Sequence, residues 1–274
     1  MTVQSALRQA TTQLEKAGIG VPRLTAEVLL AHILKCDRPY LFAHSGQKLQ
    51  ELEWIQFGRC LHERTQGKPT QYITRKQEFY GRDFRVTPDV LIPRPETEHV
   101  VETAREVAPG ASRVLDVGTG SGALAVTLQL EMRAQVWATE ISRAACVVAA
   151  DNARRLGAKV QIVNSNLMSA IAPNTMDLIV SNPPYVPRGD EFGLQREVRD
   201  WEPHLALFAG DTGLEFYERI IADAPRVLRR PGWLVMELGF GSHERVEAML
   251  ADWNTVKVTP DLKGIPRVIA ARIF

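Results

Sequence analysis

Val114-Leu115-Asp116-Val117, followed by Gly118-Thr119-Gly120-Ser121-Gly122, is the stretch that decides how this chain folds. A short, mostly apolar and β-branched run cut off by glycines predicts a buried strand. Ala123 to Leu130 then reads as a helix. The glycines permit a tight turn and let a ligand approach the backbone closely, and the helix N-terminus offers free N–H groups.

Toward the C-terminus the alternation of strand and helix continues. Gln135 to Thr139 is the second strand, ending at Glu140, and Ile141 to Leu156 is a helix. Val160 to Val163 is the third strand, ending near Asn164-Ser165-Asn166, and Leu178 to Val180 lies in the fourth. A helix from Gly213 to Leu228 precedes Trp233 to Leu238, and Val256 to Val258 with Val268 to Ala271 form a closing pair. This order predicts a parallel, doubly wound α/β sheet.

Toward the N-terminus the pattern is different. Leu7, Leu14 and Ala17 keep helical spacing up to Gly18-Ile19-Gly20. Pro22 opens a helix striped by Ala26, Leu29, Leu30 and Ile33, and Gln50 to Gln66 supplies another with Leu52, Ile55, Phe57 and Leu61. Residues 1–75 therefore read as a small helical bundle. Phe79 to Val86, around Gly81-Arg82-Asp83, suggests a hairpin, so residues 76–95 are expected to link the bundle to a domain at 96–274.

Hydrophobic residues make up 45% and charged residues 24%, ordinary for a globular protein with a real core. A formal net charge of +1 gives no bulk basic excess for nucleic acid. Cys36, Cys60 and Cys146 are scattered, which predicts buried, reduced thiols and a cytoplasmic setting. The histidines have no metal-ligand spacing, and no stretch has signal-peptide or membrane-span length, so neither metal nor membrane is expected.

The chemistry concentrates at Met176-Asp177-Leu178-Ile179-Val180-Ser181-Asn182-Pro183-Pro184-Tyr185. Two prolines end the strand and hold the chain extended at the carboxyl edge of the sheet, where open α/β folds bind ligands. That turn presents the Asn182 amide, the carbonyls of Asn182 and Pro183, and the Tyr185 ring, a set suited to a planar nitrogen-bearing group. Gly118-x-Gly120-x-x-Ala123 also satisfies a dinucleotide fingerprint, so a nicotinamide or flavin oxidoreductase is a rival reading. Asn-Pro-Pro-Tyr has no role in hydride transfer, which counts against it. Glu140, about twenty residues beyond the glycines, is placed to accept from ribose hydroxyls.

Asp116 to Gly122, Glu140 and Asn182 to Tyr185 together resemble a class I S-adenosylmethionine-dependent methyltransferase. Phe79 to Phe84, Leu91-Ile92-Pro93-Arg94-Pro95-Glu96-Thr97-Glu98 and Glu197 to Pro203 narrow this to a resemblance to the HemK/PrmC family, the release factor glutamine-N5 methyltransferases. It runs over the whole chain. The Ile-Pro-Arg-Pro-Glu-Thr-Glu stretch also argues against the sister enzymes that modify a ribosomal-protein glutamine.

The resemblance implies a Rossmann-like sheet of seven mostly parallel strands with a small helical N-terminal domain that recognises the partner. It implies S-adenosyl-L-methionine as cofactor, S-adenosyl-L-homocysteine as product, and the Gly-Gly-Gln glutamine of class 1 release factors as substrate, with no nucleic acid partner and a monomeric enzyme. Gly118, Thr119, Gly120, Ser121, Gly122, Glu140, Asn166, Leu167 and Asn182 would bind the cofactor. Asn182, Pro183, Pro184 and Tyr185 would be catalytic and, with Arg94, bind substrate. Asn166 stands where the family usually has Asp, and its oxygen accepts without charge assistance. Arg94 and Glu96 fit a substrate-side role or a structural pairing equally. Two further rivals are a nucleobase methyltransferase using the same Asn-Pro-Pro-Tyr logic and a degenerate, non-catalytic binding module.

Overall fold

A computed structural model describes residues 1–274, which divide into two compact units. The smaller comprises Met1–Arg75 together with Gln195–Trp201, and the larger Lys76–Leu194 with Glu202–Phe274.

The smaller unit packs α1 (Val3–Lys16), α2 (Pro22–Leu34) and α4 (Glu51–Thr65) around Leu7, Leu14, Leu29, Leu30, Phe57 and Leu61. Thr2 caps α1 with a reciprocal Thr2–Ser5 box, and Pro22 occupies the first turn of α2, where its missing N–H costs nothing. Two short helices, α3 (Arg38–Ala43) and α5 (Thr70–Thr74), were not expected, since six and five residues are too few to show a period. Leu52 and Ile55 were assigned to the apolar face of α4, yet they are 63% and 44% exposed. The buried stripe runs through Phe57, Leu61 and the aliphatic part of Arg64 instead. A distant piece of chain, α9 (Arg196–Trp201), completes this unit. Arg64 bridges Glu197 at 2.6 Å, Arg196 donates to the Gln66 carbonyl at 3.0 Å, and the Lys68 ammonium lies over the Trp201 ring.

In the larger unit the hairpin strands are β1 (Lys76–Phe79) and β2 (Arg82–Arg85). The turn is Tyr80-Gly81, both at positive φ, one residue earlier than the Gly-Arg-Asp turn expected from sequence. Nor does the hairpin behave as a free linker. Phe79 and Phe84 are buried in the main core, and Asn152 pairs with the Arg85 backbone in both directions, at 2.8 and 2.9 Å.

The main sheet has seven strands in the order β10-β11-β9-β6-β3-β4-β5. These are β3 (Arg113–Val117), β4 (Gln135–Glu140), β5 (Val160–Asn164), β6 (Met176–Ser181), β9 (Leu228–Glu237), β10 (Thr255–Pro260) and β11 (Pro266–Ile273). The first five run parallel, and β11 is antiparallel to both β9 and β10. Each strand sends alternate residues to opposite faces. Val114, Leu178, Val180 and Val235 pack with α6 (Glu98–Val107) and α7 (Ala123–Met132). Leu115, Ile179, Leu234 and Met236 pack with Tyr217 and Ile220 of α11 (Glu215–Val227) and Val246 of α12 (His243–Met249).

The chain runs outward from β3 through β4 and β5, with α8 (Arg143–Leu156) between, then returns to lay β6 on the other side of β3. That reversal opens a crevice beyond the carboxyl ends of β3 and β6, the residues Gly118 and Asn182. After it come a short pairing of β7 (Val186–Pro187) with β8 (Phe208–Gly210), and α10 (His204–Leu207). No helix is long and apolar enough to cross a membrane. The three cysteines are free and half-buried rather than buried.

Candidate active site

At the end of β3, Gly118, Gly120 and Gly122 all take left-handed φ values, 77°, 54° and 84°, which L side chains rarely adopt. The turn is fastened from below. Gly118 and Thr119 N–H both donate to the Thr139 carbonyl, and Asp116 Oδ2 accepts from Thr119 Oγ1 at 2.6 Å and Ala125 N–H at 3.1 Å. Burial pushes the Asp116 carboxyl up to about 7 despite those two bonds. β-carbons built on Gly118 and Gly120 would meet nothing within 4 Å, so the turn faces open space. One on Gly122 would press on Ala149 of α8 at 3.3 Å, so this glycine serves helix packing.

Glu140, closing β4, accepts from Gly120 N–H at 3.0 Å and Ser142 N–H at 2.8 Å. Its carboxylate is thereby held beside the glycine turn with lone pairs to spare for hydroxyl donors. Asn166 is exposed, and its Oδ1 accepts from Arg219 at 3.0 Å, with the Arg219 guanidinium resting over Phe216. The amide oxygen expected to serve a ligand thus already has one donor, and Arg219 brings a positive charge that the sequence reading did not include.

At the end of β6, Ser181 Oγ donates to the Val117 carbonyl at 2.7 Å, tying the two strand ends together. Asn182 Nδ2 donates to Thr97 Oγ1 at 3.0 Å, and Thr97 Oγ1 donates to Glu237 Oε2 at 2.6 Å. Glu237 is the last residue of β9, and burial raises its carboxyl to about 7. Tyr217, fully buried on α11, donates to the Glu237 carbonyl and accepts from Gly239 N–H, bracing this strand end. The Tyr185 ring lies against Gly239, and burial beside the Glu237 carboxylate pushes its phenol upward.

One cleft is lined by Gly118, Gly120, Glu140, Asn166, Leu167, Asn182, Pro183 and Pro184. The same cleft is lined by Val90, Leu91, Pro203, Leu205, Phe216 and Arg219. Thr119, Ser121 and Gly122 lie outside this lining. Thr119 and Ser121 are buried beneath the turn, and the Ser121 carbonyl accepts from Asn152. Tyr185 and Arg94 also stand outside the lining. Arg94 pairs with Glu202, whose other oxygen accepts from Ile92 N–H at 3.1 Å. Glu202 therefore joins the stretch carrying Val90 and Leu91 to the stretch carrying Pro203 and Leu205. Sequence reasoning missed Thr97, Glu202, Phe216 and Arg219 as members of this region, and left Glu237 as an open carboxylate.

An open, glycine-edged slot with an apolar wall and a carboxylate beside it fits a nucleoside. Beside it, Asn-Pro-Pro fits a planar amide or amine, so fold and site define a class I methyltransferase. The family described as PrmC N-terminal domain matches residues 5–74, and methyltransferase small domain matches residues 97–196. The chain is 46% identical to a release factor glutamine methyltransferase of Koribacter versatilis, covering 99% of both chains. It is 42% identical to that of Nitratidesulfovibrio vulgaris, covering 99% of this chain and 95% of the relative. The chain belongs to the release factor glutamine methyltransferase family. The Thermus thermophilus 16S rRNA N2 G1207 methyltransferase, solved with AdoMet and guanosine, superposes with a TM-score of 0.52 at 20% identity. That likeness covers 73% of this chain and 50% of the other, and it concerns the fold alone.

Proposed function

We propose that this enzyme transfers a methyl group from S-adenosyl-L-methionine to the side-chain amide nitrogen, N5, of the glutamine in the Gly-Gly-Gln motif of class 1 peptide chain release factors. It would act in the cytoplasm as a monomer, with residues 1–75 recognising the release factor. The observation that carries this reading is the shared cleft: Asn182, Pro183 and Pro184 line the same space as Gly118, Gly120 and Glu140. When bound, the cofactor supplies a methyl group on a sulfonium, a strong leaving group.

Gly118 and Gly120 would border the amino-acid end of the cofactor, Glu140 would take the ribose hydroxyls, and Asn166 and Leu167 would border the adenine. An amide nitrogen is a poor nucleophile because its lone pair is delocalised into the carbonyl. The Asn182 side-chain oxygen and the Pro183 carbonyl accept from its two N–H groups, turning the nitrogen toward the methyl carbon and favouring the positive charge that grows there. Tyr185, whose ring lies against Gly239 outside the cleft lining, is given the role of walling the amide plane. The N–C bond forms as the S–C bond breaks, and the nitrogen then releases one proton to solvent.

The test is transfer of labelled methyl from S-adenosyl-L-methionine to a purified class 1 release factor. The control factor carries alanine in place of the Gly-Gly-Gln glutamine. Label on the first and none on the second is expected. Equal labelling of both defeats the assigned site, and label on neither defeats the substrate.

A further inference from the structure

We propose that Thr97 and Glu237 are positioning residues that fix which end of the Asn182 carboxamide meets the substrate. The inference rests on the amide-methylation reading, in which Asn182 must offer an acceptor.

Three elements meet here. Asn182 follows β6 and Glu237 ends β9, neighbouring parallel strands whose register pairs Ser181 with Met236, one residue before each. Thr97 comes from elsewhere, closing the single turn of Pro95–Thr97 ahead of α6. It is 4% exposed and Glu237 is 3% exposed, so water does not substitute for either partner.

A threonine hydroxyl has one proton to give. Here it goes to Glu237 Oε2 at 2.6 Å, which leaves only lone pairs facing Asn182. The Asn182 side chain can meet those lone pairs with Nδ2 and not with Oδ1. Turning the amide over would set oxygen against oxygen, or would withdraw the proton from Glu237 and strand a buried carboxylate. Both outcomes are costly. While Glu237 is ionised, an acceptor-only group at the far end of the chain therefore sets the direction of every bond in it. Asn182 Oδ1 is left for the substrate N–H. Donation from Nδ2 also makes Oδ1 a better acceptor, because hydrogen bonds in series polarise one another.

Without Thr97 and Glu237 the two amide orientations would be close in energy. The wrong one offers donors to a substrate nitrogen that itself has protons to give. The relay thus acts on turnover rather than on cofactor affinity.

The experiment compares Thr97→Val, Thr97→Ser and Glu237→Gln in the full-length enzyme. Thr97→Val keeps the branched shape and removes the hydroxyl. It should lower kcat by about tenfold to a hundredfold, with the affinity for S-adenosyl-L-homocysteine unchanged. Thr97→Ser should recover most of the lost rate. Glu237→Gln is nearly isosteric but can donate to Thr97, which frees the Thr97 proton to turn toward Asn182. It should lower kcat although packing is kept, an effect that a purely structural carboxylate would not produce. Wild-type rates in both Thr97→Val and Glu237→Gln would overturn the relay while leaving the proposed reaction standing.

A second readout is independent of substrate. The Asn182 NH2 signal in a 15N spectrum, identified by its loss in Asn182→Asp, should exchange slowly with solvent in the wild type and rapidly in Thr97→Val. Equal exchange in the two proteins overturns the relay even if the release factor is not methylated.

Discussion

A β-carbon built on Gly239 would lie 2.8 Å from Cδ2 and 2.9 Å from Cγ of Tyr185, well inside van der Waals contact. The glycine is therefore what lets the ring pack so closely on the backbone just beyond β9. Gly239→Ala must push that ring away, and the proposed reaction gives that ring the role of walling the substrate amide. Turnover should fall by about tenfold or more, since ångström-scale misplacement is expensive for an aligned displacement. Cofactor affinity should be unchanged. Tyr185→Phe keeps the ring and should retain most of the activity. Steady-state kinetics on the release factor check both, and full activity in Gly239→Ala would remove the ring from the account.

Asn182→Ala removes the acceptor that the proposed reaction assigns to the substrate and leaves the glycine turn and Glu140 in place. Loss of one such group typically costs a factor of about a hundred to a thousand in kcat. Calorimetric titration with S-adenosyl-L-homocysteine should give a near wild-type affinity for the same protein. Undiminished methylation by this variant would sink the role assigned to Asn182.

Glu202 joins two stretches that line the cleft together with the glycine turn. Glu202→Ala leaves the buried Ile92 N–H without its acceptor and separates Arg94 from its partner. The unmet donor alone costs about 1–3 kcal/mol of stability. The loosened wall should weaken S-adenosyl-L-homocysteine binding by roughly tenfold, the equivalent of about 1.4 kcal/mol. Glu202→Gln, which still accepts from Ile92, should do less harm. Unaltered affinity in the alanine variant would show that the wall stands without the clamp.

Burial raises Glu237 from an ordinary 4.5 to about 7, opposed by Arg94 and Arg267 and reinforced by Glu96; Tyr185 and Tyr217 also face it. The folded protein then binds more protons than the unfolded chain between those two values. Its stability is highest at the acidic end of that window and falls as pH rises through about 7. Glu237→Gln should therefore gain on the order of 2–3 kcal/mol over wild type at alkaline pH. That gain should shrink at pH values well below 7. Denaturant melts at the two ends of the window read it, and a gain independent of pH would contradict the assignment. For activity the sign is opposite. A protonated Glu237 can donate to Thr97 and undo the direction of the relay, so kcat should fall as pH drops below about 7.

The parts of the fold that were legible share one property: their burial is local and continuous. Val114 to Val117 and Leu178 to Val180 are buried on both faces, so their strands read as short apolar runs, broken only by the buried Asp116. The hairpin turn was misplaced because Tyr80, a non-glycine residue, takes φ 51°, and sequence gives turn preference to the glycine and aspartate that follow. In α4, Leu52 and Ile55 satisfy helical spacing yet face solvent, because period alone does not say where an apolar stripe is centred. Site residues with a motif around them, such as Gly118 and Asn182, could be named in advance. Glu202 meets Ile92 across 110 residues, and Thr97 meets Glu237 across 140. No local pattern encodes such pairings. Thr119, Ser121 and Gly122 belong to the same motif yet lie outside the cleft lining, because a motif does not say which of its members face the open side of a turn.

The segment Gln195–Trp201 belongs to the smaller unit although nearly two hundred residues precede it. During synthesis the first 75 residues leave the ribosome early, yet Glu197 and Trp201, which pair with Arg64 and Lys68, arrive only in the last third of translation. The helical unit can assemble its apolar core early but acquires its last polar contacts only after most of the chain is made, unlike an N-terminal module finished ahead of the rest. Glu202, the clamp of the cleft, is the very next residue to emerge. The nascent chain finishes its helical unit and gains the fastener of its cleft at the same moment of elongation.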